Sequence, residues 1–191
     1  AGTVIQWLRD GLQIIDQAPQ VNELARSVPD SGGVMLVPAF TGWGTPHWDP
    51  QARGVLVGLT RDSGRGHIAR AALEGIALSV ATLVELAEQA LGTGLGELAV
   101  DGGAAASDPL LQAQADCTGL TVRRPASLES TARGVALFAG LQAGVISDLE
   151  QLATARREGA ELFHPQMDAS ELHRWRSRWQ DAVSRSLGWH G

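Results

Sequence analysis

Residues 98–109 consist of a short apolar strand, a pair of glycines and a helix start, and this order constrains the fold more than any other feature of the chain. Gly102 and Gly103 have no Cβ, so the backbone can turn sharply there and a ligand can touch it directly. Asp108 followed by Pro109 is typical of a helix N-cap with proline at the first helical position. Such a turn is typical of α/β proteins that bring a nucleotide against bare backbone. It is equally consistent with a tight connection that binds nothing, and it lacks the GxGxxG spacing of a dinucleotide site.

Hydrophobic periodicity predicts alternating helices and strands along the rest of the chain. Apolar residues at helical spacing from Val4 to Ile15 predict an amphipathic opening helix, and those from Leu172 to Leu187 predict a closing one. Between them the pattern predicts helices at about 22–28, 66–91, 109–118 and 132–144, and strands at about 34–40, 55–59, 98–101 and 121–125. This alternation is typical of one α/β domain over residues 1–191, with a mixed sheet flanked by helices in three layers.

Two of the predicted helices have faces that indicate close neighbours. The helix at 66–91 is apolar on nearly every side at its centre, which predicts that other elements cover it on both sides. Glu74 within this helix is better explained as a paired or interface-facing carboxylate than as a catalytic one. In the predicted helix at 132–144, a strip of small residues predicts that another backbone approaches closely. The residues of the strip, at four-residue spacing, are Ala132, Ala136, Gly140 and Gly144.

Composition and charge exclude several classes of function. The formal net charge of −6 disfavours an extended surface for nucleic acid or for an anionic membrane. All 15 basic residues are Arg, so a mechanism that needs a Lys on phosphate is excluded within this chain. Cys117 is the single cysteine, which excludes an internal disulfide, and its apolar helical setting predicts a buried thiol. We recognise no apolar run of membrane-spanning length and no signal peptide, and therefore expect a cytoplasmic protein.

Residues 38–50 form a loop rich in Trp, Gly and Pro. Its Trp rings either pack on the domain or border a ligand site, and composition favours packing. His47 and Asp49 lie two residues apart, but no third partner at catalytic spacing accompanies them. The chain contains no GxxxxGK[ST], GxSxG or HExxH motif, and its His, Cys and carboxylate residues lack metal-ligand spacing. The residues alone therefore predict neither a catalytic group nor a metal site.

Five blocks of the sequence resemble, in order and approximate spacing, the C-terminal domain of the FGGY family of carbohydrate kinases. They are GTVIQWLRDGL from residue 2, VPAFTGWGTPHWDPQARGVLVGLTR from 37, HIARAALEGIA from 67, VDGGAAASDPLLQAQAD from 100 and TARGVALFAGLQAG from 131. The resemblance covers essentially the whole chain. The stretch at 38–61 is the most specific, and it resembles the glycerol-phosphorylating members more than those that act on xylulose or gluconate.

The resemblance implies a fold of the actin-like ATPase type, in which two domains with ribonuclease-H-like sheets close over a cleft. The reaction it implies transfers the γ-phosphoryl group of ATP to glycerol, with Mg²⁺, giving glycerol 3-phosphate and ADP. In this family the catalytic carboxylate, the first phosphate loop and most glycerol contacts lie in the N-terminal domain and its continuation, and the Mg²⁺ ligands are also expected outside this chain. We therefore expect this chain to bind the adenosine end, to lack catalytic and metal-binding residues of its own, and to belong to a homo-oligomeric enzyme.

The resemblance assigns nucleotide contacts to a few positions. Gly2 and Gln6 match the family's GxxxQW motif, and Gly102 with Gly103 matches its adenosine-side glycine turn. Ser107 falls where the glycerol-phosphorylating members usually carry Asn. A hydroxyl does not offer both the amide donor and the carbonyl acceptor that Asn presents to adenine, so we expect looser recognition of the base at Ser107.

Two further departures and two alternative functions remain open at this stage. Trp43 and His47 replace the commoner Leu and Tyr, which alters either the edge of the cleft or only its packing. The first alternative is a domain of another FGGY sugar kinase. The second is a nucleotide-binding or regulatory module without catalysis. The glycerol-facing groups are expected elsewhere, so the residues of this chain do not choose the substrate.

Overall fold

The computed structural model describes residues 1–146 and 159–189, and these ranges contain helices and short strands in alternation. The helices are α1 (Gly2–Gln6), α2 (Gln20–Arg26), α3 (Arg65–Leu91), α4 (Asp108–Thr118), α5 (Ser130–Gln142) and α6 (Ala169–Ser184). The strands are β1 (Met35–Val37), β2 (Val55–Val57), β3 (Glu97–Ala99), β4 (Thr121–Arg124) and β5 (Glu161–Phe163). A π-helical turn (Trp7–Gly11) continues α1, and a 3₁₀ turn (Gly103–Ala106) precedes α4. The predicted α/β class is confirmed.

The strands form two small sheets. β1 pairs with β2 in antiparallel orientation. The second sheet has the order β3-β4-β5, in which β3 runs parallel and β5 antiparallel to β4, so the predicted mixed sheet is confirmed. β5 was not predicted from the sequence, because three residues with exposed or half-buried side chains give no alternation to recognise.

α3 is the central element of the hydrophobic core. Its side chains pack against α2, α4 and β1, which confirms the prediction that it is covered on more than one side. Small side chains on α3 let these neighbours approach closely. The buried residues of its central part are Ala69, Ala71, Ala72, Leu73, Ile76, Ala77, Leu78 and Ala81. Gly92 ends the helix in the left-handed conformation, with φ of 67°, as is common for a C-terminal glycine.

α3 also corrects one expectation from the sequence. By length and composition alone it is apolar enough to cross a membrane, whereas we recognised no such run. In the structure, 61% of its most apolar 18-residue window is buried against other parts of the chain. A core helix passes the same test of length and composition, and the packing of α3 is that of a core helix.

α4 lies between α3 and the three-stranded sheet. Leu110, Ala113 and Cys117 face the main core around α3, while Leu111 and Ala115 pack against Val122 of β4. α4 therefore joins the two sheets into one structure. Its two apolar faces explain why it is buried although it is only eleven residues long.

Two side chains singled out from the sequence lie where they were predicted. Cys117 is fully buried, and burial raises the pKa of its thiol to about 12. Glu74 is 7% exposed, and Arg70 donates a hydrogen bond of 2.7 Å to its Oε1. Burial raises the pKa of Glu74, while the hydrogen bond from Arg70 opposes this shift. The predictions of a structural thiol and of a paired carboxylate are both confirmed.

The closing helix α6 docks onto the core as predicted. Trp179 and Val183 are buried, and Trp179 Nε1 donates to Thr82 Oγ1 of α3 at 3.3 Å. Trp43 from the 38–50 loop stands edge-on to Trp179, with ring centroids 6.4 Å apart, and its Nε1 donates to Ser186 Oγ at 2.9 Å. Trp43 therefore packs on the domain, as composition favoured, whereas Trp48 of the same loop is 75% exposed.

α5 contrasts with the other helices because none of its residues is buried. The small-residue strip was predicted to receive another backbone, but Ala132, Ala136 and Gly144 are exposed and only the Ile146 side chain, which follows α5, lies against Gly140 within the described ranges. Val135 and Phe138 are exposed on the same helix, at 67% and 74%. In the described part of the chain, the outer edge of β3 likewise has no strand partner.

The close approach of α3 to β1 gives a first testable prediction. A Cβ added at Gly75 would lie far inside van der Waals contact of the Leu36 carbonyl oxygen. Gly75→Ala is therefore expected to destabilise the chain by about 1–3 kcal/mol, measured by denaturant unfolding, although Ala is the better helix former. Gly134→Ala in α5 is the matched control, since a Cβ there meets nothing within 4 Å and should leave stability unchanged or slightly raised. Equal stabilities of the two variants would contradict this packing.

Candidate functional site

A cavity of about 760 Å³ lies between α1, α2, α3 and the segment that leads into α4. Of the five predicted nucleotide contacts, Gly2, Gln6, Gly103 and Ser107 line it, and Gly102 does not. The first two residues and the last two are separated by about a hundred positions in the chain. The fold thus brings two distant sequence blocks to one site.

The cavity wall combines a large apolar area with a few polar groups at defined places. This combination is typical of a site for a small organic molecule that carries a flat apolar part. The apolar lining comes from Ile5, Ala18, Pro19, Val21, Leu73, Ile76 and Leu110. The polar lining comes from Gln6, Arg9, Asn22, Asp101 and Ser107.

Arg9 is the cationic residue of this lining, and its charge is partly compensated. Its Nε and Nη2 donate to the two carboxylate oxygens of Asp10, at 2.7 and 3.0 Å. The hydrogen bond from Arg9 lowers the pKa of Asp10 below its ordinary value. Both side chains are exposed, so this pair contributes little to stability.

The two glycines of the predicted turn have different roles. Gly102 has φ of 77° and ψ of 178°, a conformation that side chains disfavour. Its N–H donates to the Leu128 carbonyl at 3.0 Å, and its own carbonyl accepts from Ala105 N at 3.0 Å. Gly103 has an ordinary φ, but a Cβ there would meet nothing within 4 Å. Gly102 therefore shapes the turn, and Gly103 presents bare backbone to the cavity.

Ser107, and not Asp108, is the N-cap of α4, which corrects the sequence prediction. Its Oγ accepts a hydrogen bond from Leu110 N at 3.3 Å, and the helix begins at Asp108 with Pro109 at the second helical position. Ser and Asp are both good caps and stand side by side here, so the sequence pattern indicates the cap one residue too late. Ser107 is 7% exposed, and its hydroxyl donates to Asn22 Oδ1 at 2.5 Å. The one hydroxyl proton of Ser107 is thus already used within the protein.

Arg124 of β4 holds the 3₁₀ turn in place, a contribution that the sequence did not indicate. Its Nη1 donates to the Ala105 carbonyl at 3.0 Å and to Asp108 Oδ1 at 2.8 Å, and its Nη2 pairs with Glu161. The guanidinium carbon also lies 5.1 Å from the centroid of the Phe163 ring. These partners are distant from Arg124 in the sequence and meet only in the folded chain. The spacing of residues near Arg124 therefore does not predict its role.

A second cavity of about 530 Å³ adjoins the first and runs along β3. The two cavities share lining residues, among them Ala1, Ile76 and Asp101. Gln114 of α4 lines the second cavity, and its Oε1 is buried without a hydrogen-bond partner in the described residues. A buried acceptor of this kind is costly unless a donor from elsewhere reaches it.

The 38–50 loop does not contribute to the first cavity. Trp43 and His47 line a smaller space of about 250 Å³ beside α6, where Trp43 is half-buried and His47 is exposed with its ring centroid 5.6 Å from that of Trp43. Asp49 accepts hydrogen bonds from Gln51 N and Gly188 N, which binds the loop to the end of the chain. Within residues 1–146 and 159–189, no group of three or more His, Cys, Asp or Glu side chains is placed to hold a metal ion.

Comparison with known proteins gives consistent matches over this fold. The family model described as "FGGY family of carbohydrate kinases, C-terminal domain" matches residues 1–143. The glycerol kinase of Rhodopirellula baltica is 51% identical over 99% of this chain and 35% of that protein. The crystal structure of Plasmodium falciparum glycerol kinase with ADP has a TM-score of 0.88 and 30% identity, over 97% of this chain and 37% of that chain.

A kinase that is named for a different substrate matches less closely. The xylulose kinase of Rhodospirillum rubrum has a TM-score of 0.74 and 25% identity, over 97% of this chain and 37% of that chain. These matches confirm the predicted fold class, that of the FGGY kinases. The chain spans 35–38% of the length of the glycerol kinases that it matches.

The cap of α4 gives a prediction about stability. Ser107→Ala removes the acceptor for Leu110 N and the hydrogen bond to Asn22, and is expected to cost about 0.5–2 kcal/mol of unfolding free energy. Ser79→Ala in α3 is the matched control. The Ser79 hydroxyl donates only to the Gly75 carbonyl inside a helix, so its loss should be nearly neutral. A Ser107→Ala variant as stable as the Ser79→Ala variant would mean that the cap contributes nothing.

Proposed function

Because this chain belongs to the FGGY family of carbohydrate kinases, we propose that it binds the adenosine part of ATP in an enzyme that phosphorylates glycerol. One observation carries the proposal. Gly2 and Gln6 from the first block, and Gly103 and Ser107 from the second, line one cavity although the sequence separates them widely. The apolar lining suits a purine ring, and the bare backbone at Gly103 suits the close approach of a ligand.

Glycerol is the substrate that the similarity supports best. Among the solved structures, the glycerol kinase has a TM-score of 0.88 and 30% identity, against 0.74 and 25% for the xylulose kinase. Other relatives named glycerol kinase are about half identical to this chain over nearly its full length. A domain of another FGGY sugar kinase remains the first alternative, because the cavity described above faces the nucleotide and leaves the sugar or polyol unspecified.

In the proposed reaction this chain positions the nucleotide, and chemical catalysis occurs elsewhere. Phosphoryl transfer depends on positioning and electrostatic stabilisation more than on covalent chemistry by the protein. The apolar wall holds the base, and the backbone at Gly103 and the side chain of Gln6 orient the nucleoside. The catalytic carboxylate, the phosphate loop and the Mg²⁺ ligands are supplied by the rest of the protein.

Three features of this chain support a large contact with that rest of the protein. The outer edge of β3 is uncovered by the described residues, and the second cavity lies beside that edge. The unpartnered Gln114 Oε1 lines the same cavity, where a backbone N–H would satisfy it. We infer that chain outside these 191 residues adds to the sheet at β3. α3 and its neighbours then form a rigid body that moves as the two domains close.

A nucleotide-binding or regulatory module without catalysis is the alternative from a different class. It would use the same cavity, so binding alone does not separate the two proposals. Turnover does separate them, because only the kinase transfers phosphate. Cytoplasmic location and homo-oligomeric assembly stay predictions. The mass of the intact protein in solution tests the predicted homo-oligomer.

The first functional prediction concerns activity. The intact protein that contains this chain is expected to form glycerol 3-phosphate and ADP from glycerol and ATP, with much lower turnover of xylulose. The purified 191-residue chain is expected to form none, because no catalytic carboxylate or phosphate loop is identified in it. A coupled assay of ADP release, with a mock purification as blank, measures both. Glycerol turnover by the isolated chain, or an intact protein that prefers xylulose, would contradict the proposal.

The glycine turn gives the second functional prediction. Gly103→Val places a branched side chain in open space beside the cavity, so the intact protein should remain folded and lose at least about tenfold in affinity for ATP. Gly102→Ala is the comparison, since it strains a backbone with φ of 77° and should lower stability first. Calorimetric titration and thermal unfolding separate the two effects. A folded Gly103→Val variant with unchanged ATP affinity would remove the turn from the site.

A further inference from the structure

Asn22 lies on the wall of the first cavity, although no motif in the sequence indicated it. It belongs to α2, is half-buried, and lines the cavity together with Gln6, Gly103 and Ser107. Its Oδ1 accepts the hydroxyl proton of Ser107 at 2.5 Å. A second contact joins the same two helices one turn later, where Arg26 Nη2 donates to Asp108 Oδ2 at 3.0 Å. Two contacts therefore join α2 to the start of α4, and one of them is made by Asn22 itself.

The hydrogen bond from Ser107 also orients the amide of Asn22. A hydroxyl proton needs an acceptor, so Oδ1 is the end of the amide that faces Ser107, and Nδ2 is the other end. Within residues 1–146 and 159–189, no acceptor is found for the two N–H groups of Nδ2. An amide fixed at its oxygen, with its donors unused at a cavity wall, is suited to a ligand that presents an acceptor.

We propose that Asn22 is the residue that donates a hydrogen bond to a ring nitrogen of the bound purine, and that Ser107 is the positioning residue that orients it. The proposal rests on the nucleotide binding proposed above and adds the residue that reads the base. Ser107 stands where a longer amide was expected, and it cannot replace that amide by itself because its only proton is already donated to Asn22. Asn22 of α2 supplies the amide instead, and the hydrogen bond from Ser107 orients it.

Asn22→Asp separates binding of the base from support of the fold. An Asp side chain has the same shape and still accepts from Ser107, but it has no N–H to donate when ionised. In the intact protein, calorimetry with ADP should show affinity lowered about three- to tenfold, the range expected for one neutral hydrogen bond. The KM for ATP should rise by a similar factor with kcat at saturating ATP retained, whereas a purely structural role predicts no such split.

Moving the amide group from position 22 to position 107 also tests whether this amide binds the base, and it does so without the negative charge that Asp adds. Asn22→Ala should weaken ADP binding by a similar factor, and the double variant Asn22→Ala with Ser107→Asn should regain most of the loss, because an amide again borders the cavity. Asn also remains a good N-cap for α4. ADP analogues in which single ring nitrogens are replaced by C–H should identify the acceptor. The wild type should bind one of these analogues more weakly than it binds ADP. The Asn22 variants should bind that analogue and ADP with equal affinity.

The outcomes distinguish this inference from the proposed function. If the wild-type intact protein binds no ADP, the proposed nucleotide site fails, and this inference fails with it. If the wild type binds ADP and the folded Asn22→Asp and Asn22→Ala variants bind it as tightly, only the role of Asn22 is overturned. Weaker binding that the double variant does not regain would assign Asn22 to structure and also overturn the inference.

Discussion

The close packing of α3 against β1 is the constraint on which the rest of this structure depends. Gly75 lets the helix backbone approach the Leu36 carbonyl, and small buried residues along α3 let α2 and α4 pack against it. Leu73 and Ile76, on the same helix, form part of the floor of the first cavity. Any displacement of α3 would therefore change the core and the candidate site together, since both are built on one rigid helix.

The candidate site is assembled across this helix from elements that are each marginal alone. α1 and the 3₁₀ turn are short, and neither would hold its shape in isolation. Arg124 fixes the turn from the sheet side, while Ser107 joins the start of α4 to Asn22 of α2. These side-chain contacts, more than helix or strand propensity, place bare backbone and an amide at the same cavity. The site is consequently sensitive to residues such as Arg124 that do not line it.

Some parts of the fold and site were predictable from the sequence because their cause is local. The apolar centre of α3, the spacing of Trp175 and Trp179 in α6 and the glycines at 102 and 103 each produce a pattern within one turn or one strand. Other parts were not predictable, because their cause lies far away in the chain. β5 is too short to show a pattern, and Ser107 and Asp108 are equally good caps until the helix start is seen. Asn22 looks like any polar residue on a short helix.

The sequence by itself determined the alternation of elements, the buried α3, the buried Cys117 and the blocks that assign the chain to its family, because periodicity and side-chain chemistry act over short distances. Only the tertiary structure decided that residues 2–6 and 103–107 meet at one cavity, that Gly102 shapes the turn while Gly103 opens it, and that Ser107 donates its proton to Asn22. Contacts between residues 85 positions apart depend on how helices pack, and no local pattern in either helix carries that information.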